Sequence, residues 1–138
     1  MIHQATCVAI DGHGLLIEGP PGSGKSSLAL ALIDRSAVLV GDDGVLLEHD
    51  GGLLIARPHP RTVGLLEVRN LGLVTYPVCD FAVIAAVIHL DPHAPRLPTG
   101  DETCERAGVA VPLVRMTPHD PTLAIKAELA LRQAVRRF

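Results

Sequence analysis

The run Gly19-Pro20-Pro21-Gly22-Ser23-Gly24-Lys25-Ser26 constrains this chain more than any other. It fits G-x-x-x-x-G-K-[ST]. Glycines in that pattern let backbone N–H groups turn inward around phosphate oxygens, the lysine reaches the β/γ-phosphates, and the last hydroxyl can hold Mg²⁺. The pattern works only between a strand and a helix. Gly14 to Glu18 reads as a buried strand, and Ser27 to Asp34 as a helix apolar nearly all round, hence buried. The positive end of that helix adds to the attraction for anions. The expected nucleotide-phosphate contacts are Gly19, Pro20, Pro21, Gly22, Ser23, Gly24, Lys25, Ser26 and Ser27. An ordinary glycine turn would explain the glycines but not the Lys-Ser pair at the helix start.

Composition narrows the fold around that unit. The chain has 138 residues, the size of one domain, and 1–138 is expected to form a single one. Nearly half the residues are hydrophobic, yet there are two Phe, one Tyr and no Trp, so the core is aliphatic, as a buried parallel or mixed sheet requires. Thirteen Gly and eleven Pro break the chain too often for an all-helical fold. A net charge of −3 argues against a nucleic-acid partner. The longest apolar stretch, Phe81 to Leu90, is too short to span a bilayer, and Met1-Ile2-His3-Gln4 does not open a secretory signal. Cys7, Cys79 and Cys104 are scattered and odd in number, which suits free thiols in a reducing cytoplasm rather than a disulfide framework or zinc site.

Along the chain, His3 to Ile10 reads as a first strand and Asp11-Gly12-His13-Gly14 as a hairpin tip. After the glycine-loop unit, Ala37 to Gly41 is a short buried strand. Val45 to Glu48 and Leu53 to Ala56 flank a second hairpin signal at His49-Asp50-Gly51-Gly52, and Arg57 to Arg61 reads as an extended linker. Leu65 to Val74 contains a strand with a polar face. Ala82 to Leu90 is a continuous apolar strand, Asp91 to Gly100 a loop, and Pro112 to Met116 a last edge strand. Asp120 caps a final helix with Pro121 at its first position; Leu131, Ala134, Val135 and Phe138 share one face, and Arg132, Arg136 and Arg137 suit its negative end. Only two good helices are visible, fewer than a doubly wound kinase would show.

Five further places carry possible chemistry. Asp42 and Asp43 end a strand 17 and 18 residues after Lys25, at the edge where open α/β sheets bind ligands. One could hold Mg²⁺ and the other take a proton from a hydroxyl nucleophile; an Asp-Asp-Gly turn is the other reading. Glu67, His3 and Arg106 taken singly could each be solvated surface residues. Asp91 after Val-Ile-His-Leu resembles a Walker B aspartate and competes with the Asp pair for the metal.

Together, and in order, these residues resemble the catalytic domain of HPr kinase/phosphorylase in a short form. That family has a histidine in its first strand, a P-loop, a strand ending in Asp-Asp, a Leu-Glu-[hydrophobic]-Arg-Gly-Leu-Gly signature and an Arg-x-Gly. Here they are His3, Gly19 to Ser26, Asp42-Asp43, Leu66-Glu67-Val68-Arg69-Asn70-Leu71-Gly72, and Arg106-Ala107-Gly108. The resemblance implies a mixed-sheet P-loop fold of the PEP-carboxykinase-like type with few helices. It also implies ATP- and Mg²⁺-dependent phosphorylation of a serine on HPr, the phosphocarrier of the bacterial sugar phosphotransferase system. By the same resemblance Asp43 is the catalytic base, Lys25 binds phosphates, Ser26 and Glu67 hold Mg²⁺, His3 orients Asp43 or senses charge near it, and Arg106 stabilises the transferring phosphoryl group; Asp42 is a further metal candidate from its place in the Asp pair, with Asp91 as its competitor. A homo-oligomer, hexameric in the family, is implied too. Asn70 replaces a family glycine, Ser27 a position often acidic, and Pro118-His119-Asp120-Pro121-Thr122-Leu123 a Pro-Gly-Arg-Asn-type loop tied to dephosphorylation, so the reverse reaction stays open. A small-molecule kinase, with a lid drawn from Arg57, Arg61 and Arg69, and a non-catalytic nucleotide-binding regulator are the alternatives.

Overall fold

The structure is a computed structural model and describes residues 1–98 and 100–136. Eleven strands and two helices follow in the order β1(Ile2–His3), β2(Thr6–Ile10), β3(His13–Glu18), α1(Lys25–Asp34), β4(Val38–Gly41), β5(Val45–Asp50), β6(Leu53–Pro58), β7(Leu65–Val68), β8(Gly72–Thr75), β9(Ala82–Leu90), β10(Thr103–Arg106), β11(Val109–Met116) and α2(Leu123–Arg136) among the described residues. Nine strands form one mixed sheet along the path β1-β5-β6-β9-β3-β2-β4, with β11 on β9 and β10 on β11; β7 and β8 form a separate hairpin.

The centre of the sheet is parallel: β3 runs beside β9, and β11 lies parallel on the last residues of β9. Both faces of this centre are covered, so the middles of β3 and β9 are near-continuous apolar runs. On one face Leu15, Ile17, Ala86, Ile88 and Leu90 pack with Leu28, Ala29 and Leu32 of α1 and Leu123, Ala127 and Leu131 of α2. On the other face Cys7, Leu16, Val40, Ile84 and Val87 meet Leu47, Leu54, Val111 and Leu113. A register shift between Gly14 and Leu15 inserts an extra residue, Ala85, into β9, so Ile84 joins one core and Ile88 the other although both lie at even positions. Gly14 is required there: a Cβ would lie 2.7 Å from Ile84 Cδ1.

Several expected elements take a different form. The first strand breaks at Gln4-Ala5, because β1 pairs with β5 while β2 pairs with β3 and β4. Arg57 and Pro58 extend β6, paired with Leu46 and Val45, and the linker shrinks to the turns around 60–64. The stretch 65–75 is a hairpin rather than one strand. β10 is a strand that sequence patterning missed, and β11 starts earlier than expected because Val109 to Pro112 pair with it. Helix α1 is not buried all round. Ser27, Ala31 and Asp34 face solvent, since the sheet, the β7–β8 hairpin and α2 cover only its other sides. Phe138 and Arg137 lie outside the described residues.

Candidate functional site

The candidate residues converge at the edge where β3 and β4 end. β3 delivers Glu18, and the glycine-rich loop follows. Gly22 and Gly24 have φ of +78° and +101°, left-handed values that glycine takes without strain. Gly24 occupies the N-cap of α1, with no side-chain cap and no acidic residue in the first turn. The orphan N–H groups of that turn and the positive end of the helix are therefore left for an anion. Ser23 N–H donates to the Pro20 carbonyl (3.1 Å), and Lys25 Nζ donates to the carbonyls of Gly19 (2.8 Å) and Pro20 (3.4 Å). A Cβ at Gly19 would sit 2.5 Å from Ser23 Oγ and 3.2 Å from the Leu90 carbonyl, so the loop closes tightly on the end of β9. Ser23 Oγ is buried with no hydrogen-bond partner among the described residues, which suits an oxygen ligand arriving from outside the chain. Ser27 is exposed on the first turn of α1.

Two clusters flank this loop. In the first, Ser26 Oγ donates to Asp42 Oδ1 (2.7 Å), Thr6 Oγ1 donates to the same oxygen (2.8 Å), and the Glu67 N–H donates to Asp42 Oδ2 (3.0 Å). Asp42 is 5% exposed. Ser26, Asp42 and Glu67 are thus brought together from α1, the end of β4 and the β7–β8 hairpin. Asp91 is not part of this group: its Oδ1 accepts from the His93 N–H (2.8 Å) and its Oδ2 lies 4.0 Å from Arg115. Asp43, the next residue after Asp42, is exposed at φ +59° and makes no hydrogen bond or ion pair among the described residues.

In the second cluster, Glu18 accepts from Arg106 Nε (2.9 Å) and Nη2 (2.7 Å), and its Oε2 lies 2.6 Å from His3 Nε2. Burial pushes the Glu18 carboxyl up, but hydrogen bonds and charge from Arg106, then His3, outweigh it and hold the group below the ordinary glutamate range. His3 bonds to Glu18, and no hydrogen bond from it to Asp43 is found among the described residues; its neighbour across β1–β5 is Val45, and its ring points back to the end of β3.

Sequence reasoning missed Thr6, Glu18 and His119. The His119 ring stands over the loop, with Cε1 3.4 Å from where a Cβ on Gly24 would lie. An acidic residue ending an otherwise apolar strand, directly before the loop, was the available signal for Glu18. Thr6 and His119 carried no signal, because contacts between distant segments put them there. The three cysteines are unpaired; burial drives the Cys7 thiol far above its usual range. Among the described residues no helix is long and apolar enough to cross a membrane.

Comparison with known proteins agrees with this geometry. The family model for the HPr Serine kinase C-terminal domain matches residues 1–117. HPr kinase/phosphorylase of Clostridium tetani is 42% identical over 91 residues, 61% of this chain and 30% of that protein. The enzyme of that name from Clostridium perfringens strain SM101 is 36% identical over 121 residues, 79% of this chain and 39% of that protein. The chain thus spans well under half the length of these relatives. The structure of the Hpr(Ser) kinase/phosphatase from Coxiella burnetii superposes with a TM-score of 0.87 at 27% identity, covering 99% of this chain and 97% of that one. With the family model matching most of its length, and with this fold, the chain belongs to the HPr serine kinase C-terminal domain family.

Proposed function

We propose that residues 1–138 form one P-loop kinase domain of the PEP-carboxykinase-like type that transfers the γ-phosphoryl group of ATP to a serine of an HPr-type phosphocarrier. The observation that carries the reading is the bond from Ser26 Oγ to Asp42 at the head of α1, beside the Glu18–His3–Arg106 cluster. It joins the glycine-rich loop to a carboxylate, while Glu18, the residue before that loop, carries Arg106 and His3.

The residues fit ATP and Mg²⁺. The Ser26 hydroxyl and the carboxylates of Asp42 and Glu67 are the hard oxygen donors Mg²⁺ takes, and the loop supplies N–H groups, Lys25 and the unpartnered Ser23 hydroxyl for phosphates. When bound, Mg²⁺ would neutralise charge on the phosphate oxygens. Thr6 and the Glu67 N–H hold the Asp42 carboxylate in one orientation. Lys25 binds and orients the phosphates. Asp43 accepts the proton of the serine hydroxyl as its oxygen forms the new O–P bond and the bond to ADP breaks. Arg106 and His3 present positive charge or donors to the phosphoryl group in transit. In the reverse direction Asp43 would return the proton. The site is read as cytoplasmic and as part of a homo-oligomer, hexameric by family resemblance. A lid of arginines for a small metabolite finds no support at Arg57, which pairs with Glu48 and lies 5.5 Å from the Phe81 ring centre.

The test is transfer from γ-labelled ATP with Mg²⁺ to HPr and to HPr whose regulatory serine is alanine. Label on the first and not the second is expected. No label on either, with ATP still bound, would move the function to another acceptor or to a non-catalytic regulator. Adding inorganic phosphate to labelled HPr then tests for the reverse reaction.

A further inference from the structure

We propose that Glu18 is a positioning residue: its carboxylate ties His3 and Arg106 to the strand that enters the glycine-rich loop, and so fixes where their remaining donors point. The proposal rests on the phosphotransfer reading above. Nothing in the loop pattern specifies position 18, since the pattern begins at Gly19.

The three residues come from β1, β3 and β10, yet among the described residues β1 pairs only with β5 and β10 only with β11. No ladder joins either strand to β3, so the carboxylate is their direct hydrogen-bonded link to it. Its two oxygens take a forked pair of bonds from Arg106 and one contact from His3. Arg106 Nη1 also donates to the Glu105 carbonyl (2.9 Å). A guanidinium has five N–H groups. Three are therefore spent holding it in place, and the remaining two are left for a ligand. The Glu18 side chain is 10% exposed, with His3 at 25% and Arg106 at 26%. Partial burial of all three weakens solvent screening, so the hold is stronger than that of a surface ion pair. Without the carboxylate, His3 and Arg106 would be two donors facing each other with no acceptor between them.

Glu18→Gln keeps the volume but removes the fork, because its NH₂ group would face an N–H donor. Glu18→Asp keeps the charge and withdraws it by one methylene. The experiment compares these variants, Arg106→Ala and the Glu18→Gln/Arg106→Ala double variant in the full chain. Readouts are the Arg106 Nε–H signal by ¹H–¹⁵N NMR, nucleotide affinity, and kcat for transfer from ATP to HPr. In Glu18→Gln the protected Nε–H signal is expected to be lost and kcat to fall about 10–100-fold, with ATP affinity within about threefold. Glu18→Asp should recover part of kcat. Adding Glu18→Gln to Arg106→Ala should cost clearly less than Glu18→Gln costs in the wild-type background, because only the tie to His3 is then left to lose.

An unchanged Nε–H signal in folded Glu18→Gln overturns the proposal. So does wild-type turnover, and so does a full further loss in the double variant, which would mark a merely structural role. If Glu18→Gln does not fold, Glu18→Asp decides by the same signal and by kcat. If wild-type protein labels no HPr, the acceptor reading fails, and the Nε–H signal alone then upholds or overturns the role of Glu18.

Discussion

Asp42 and Asp43 are adjacent carboxylates with opposite surroundings. Asp42 is buried and accepts three hydrogen bonds, from Thr6, Ser26 and the Glu67 backbone. Those three bonds hold the carboxylate in one orientation, the arrangement that the proposed metal role uses. Asp43 is exposed and makes none of those bonds among the described residues, which leaves its carboxylate open to the hydroxyl of the proposed acceptor. Asp43→Asn should therefore cut phosphotransfer to HPr by about 10²–10⁴-fold while nucleotide affinity holds, measured by labelled transfer and by titration with ATP. Near-normal transfer would move the base elsewhere. At this scale the Asp pair was legible through its distance from Lys25, and the family resemblance implied Asp43 as the base, but the surroundings that set the two carboxylates apart were not legible. Those come from Thr6 and the Glu67 N–H, which are 36 and 25 residues away from Asp42. Glu18 shows the same: its charge was visible in the sequence, its partners 15 and 88 residues away were not.

Elements were more legible than residues, because their signals are local. The tight turns Asp11-Gly12, Gly51-Gly52 and Ala107-Gly108 all have positive φ at both positions, the mirror-image geometry that matches strand twist. The glycine of Arg106-Ala107-Gly108 therefore serves the hairpin that presents Arg106. Asn70 stands at φ +73° in the β7–β8 turn, a left-handed value that asparagine tolerates, so its replacement of a family glycine leaves the hairpin carrying Glu67 intact. At the start of α2, Asp120 Oδ1 accepts from the Thr122 N–H and hydroxyl, and Oδ2 pairs with Lys126. The Lys126 hydrogen bond, with those of Thr122, holds the Asp120 carboxyl at about 2, below its ordinary 3.8. A depressed carboxylate contributes stability above its unfolded value and loses it as pH falls through the folded one. Asp120→Ala should thus lower the urea midpoint at pH 7, and the gap to wild type should close as pH falls from about 4 to about 2. A gap that persists at pH 2 would show that the charge plays no part. β10 went unseen because Thr103 to Arg106 alternates half-buried and exposed positions and owes its pairing to β11.

The whole molecule depends on a parallel pair, β3 and β9, that serves two cores at once. Leu16 and Val87 face the core formed with β5, β6 and β11, while their neighbours Leu15, Ile17 and Ile88 face the helices. Leu16 is fully buried, so Leu16→Ala should destabilise by about 2–5 kcal/mol in urea unfolding. Because β3 also delivers the glycine-rich loop, ATP affinity should fall in the same protein. A stability loss with unchanged ATP affinity would show that the loop is held by α1 alone. Between the two helices, Arg35 at the end of α1 bonds to the buried Glu128 of α2 (2.8 Å), a cross-link no local pattern announces.

The sequence by itself determined the strand, glycine loop and helix, the aliphatic sheet, the two-helix count and the family resemblance. The elements among these rest on residues within a few positions of one another, where periodicity and backbone preference act directly, and the resemblance rests on the order of such short motifs from His3 to Gly108. Only the tertiary structure decided that Glu18 joins His3 to Arg106, that Ser26 meets Asp42 and not Asp91, and that His119 overlooks Gly24. Those contacts follow from strand order and from the extra residue in β9. Both are set by which apolar faces bury against each other across the chain, and no short window of sequence contains that choice.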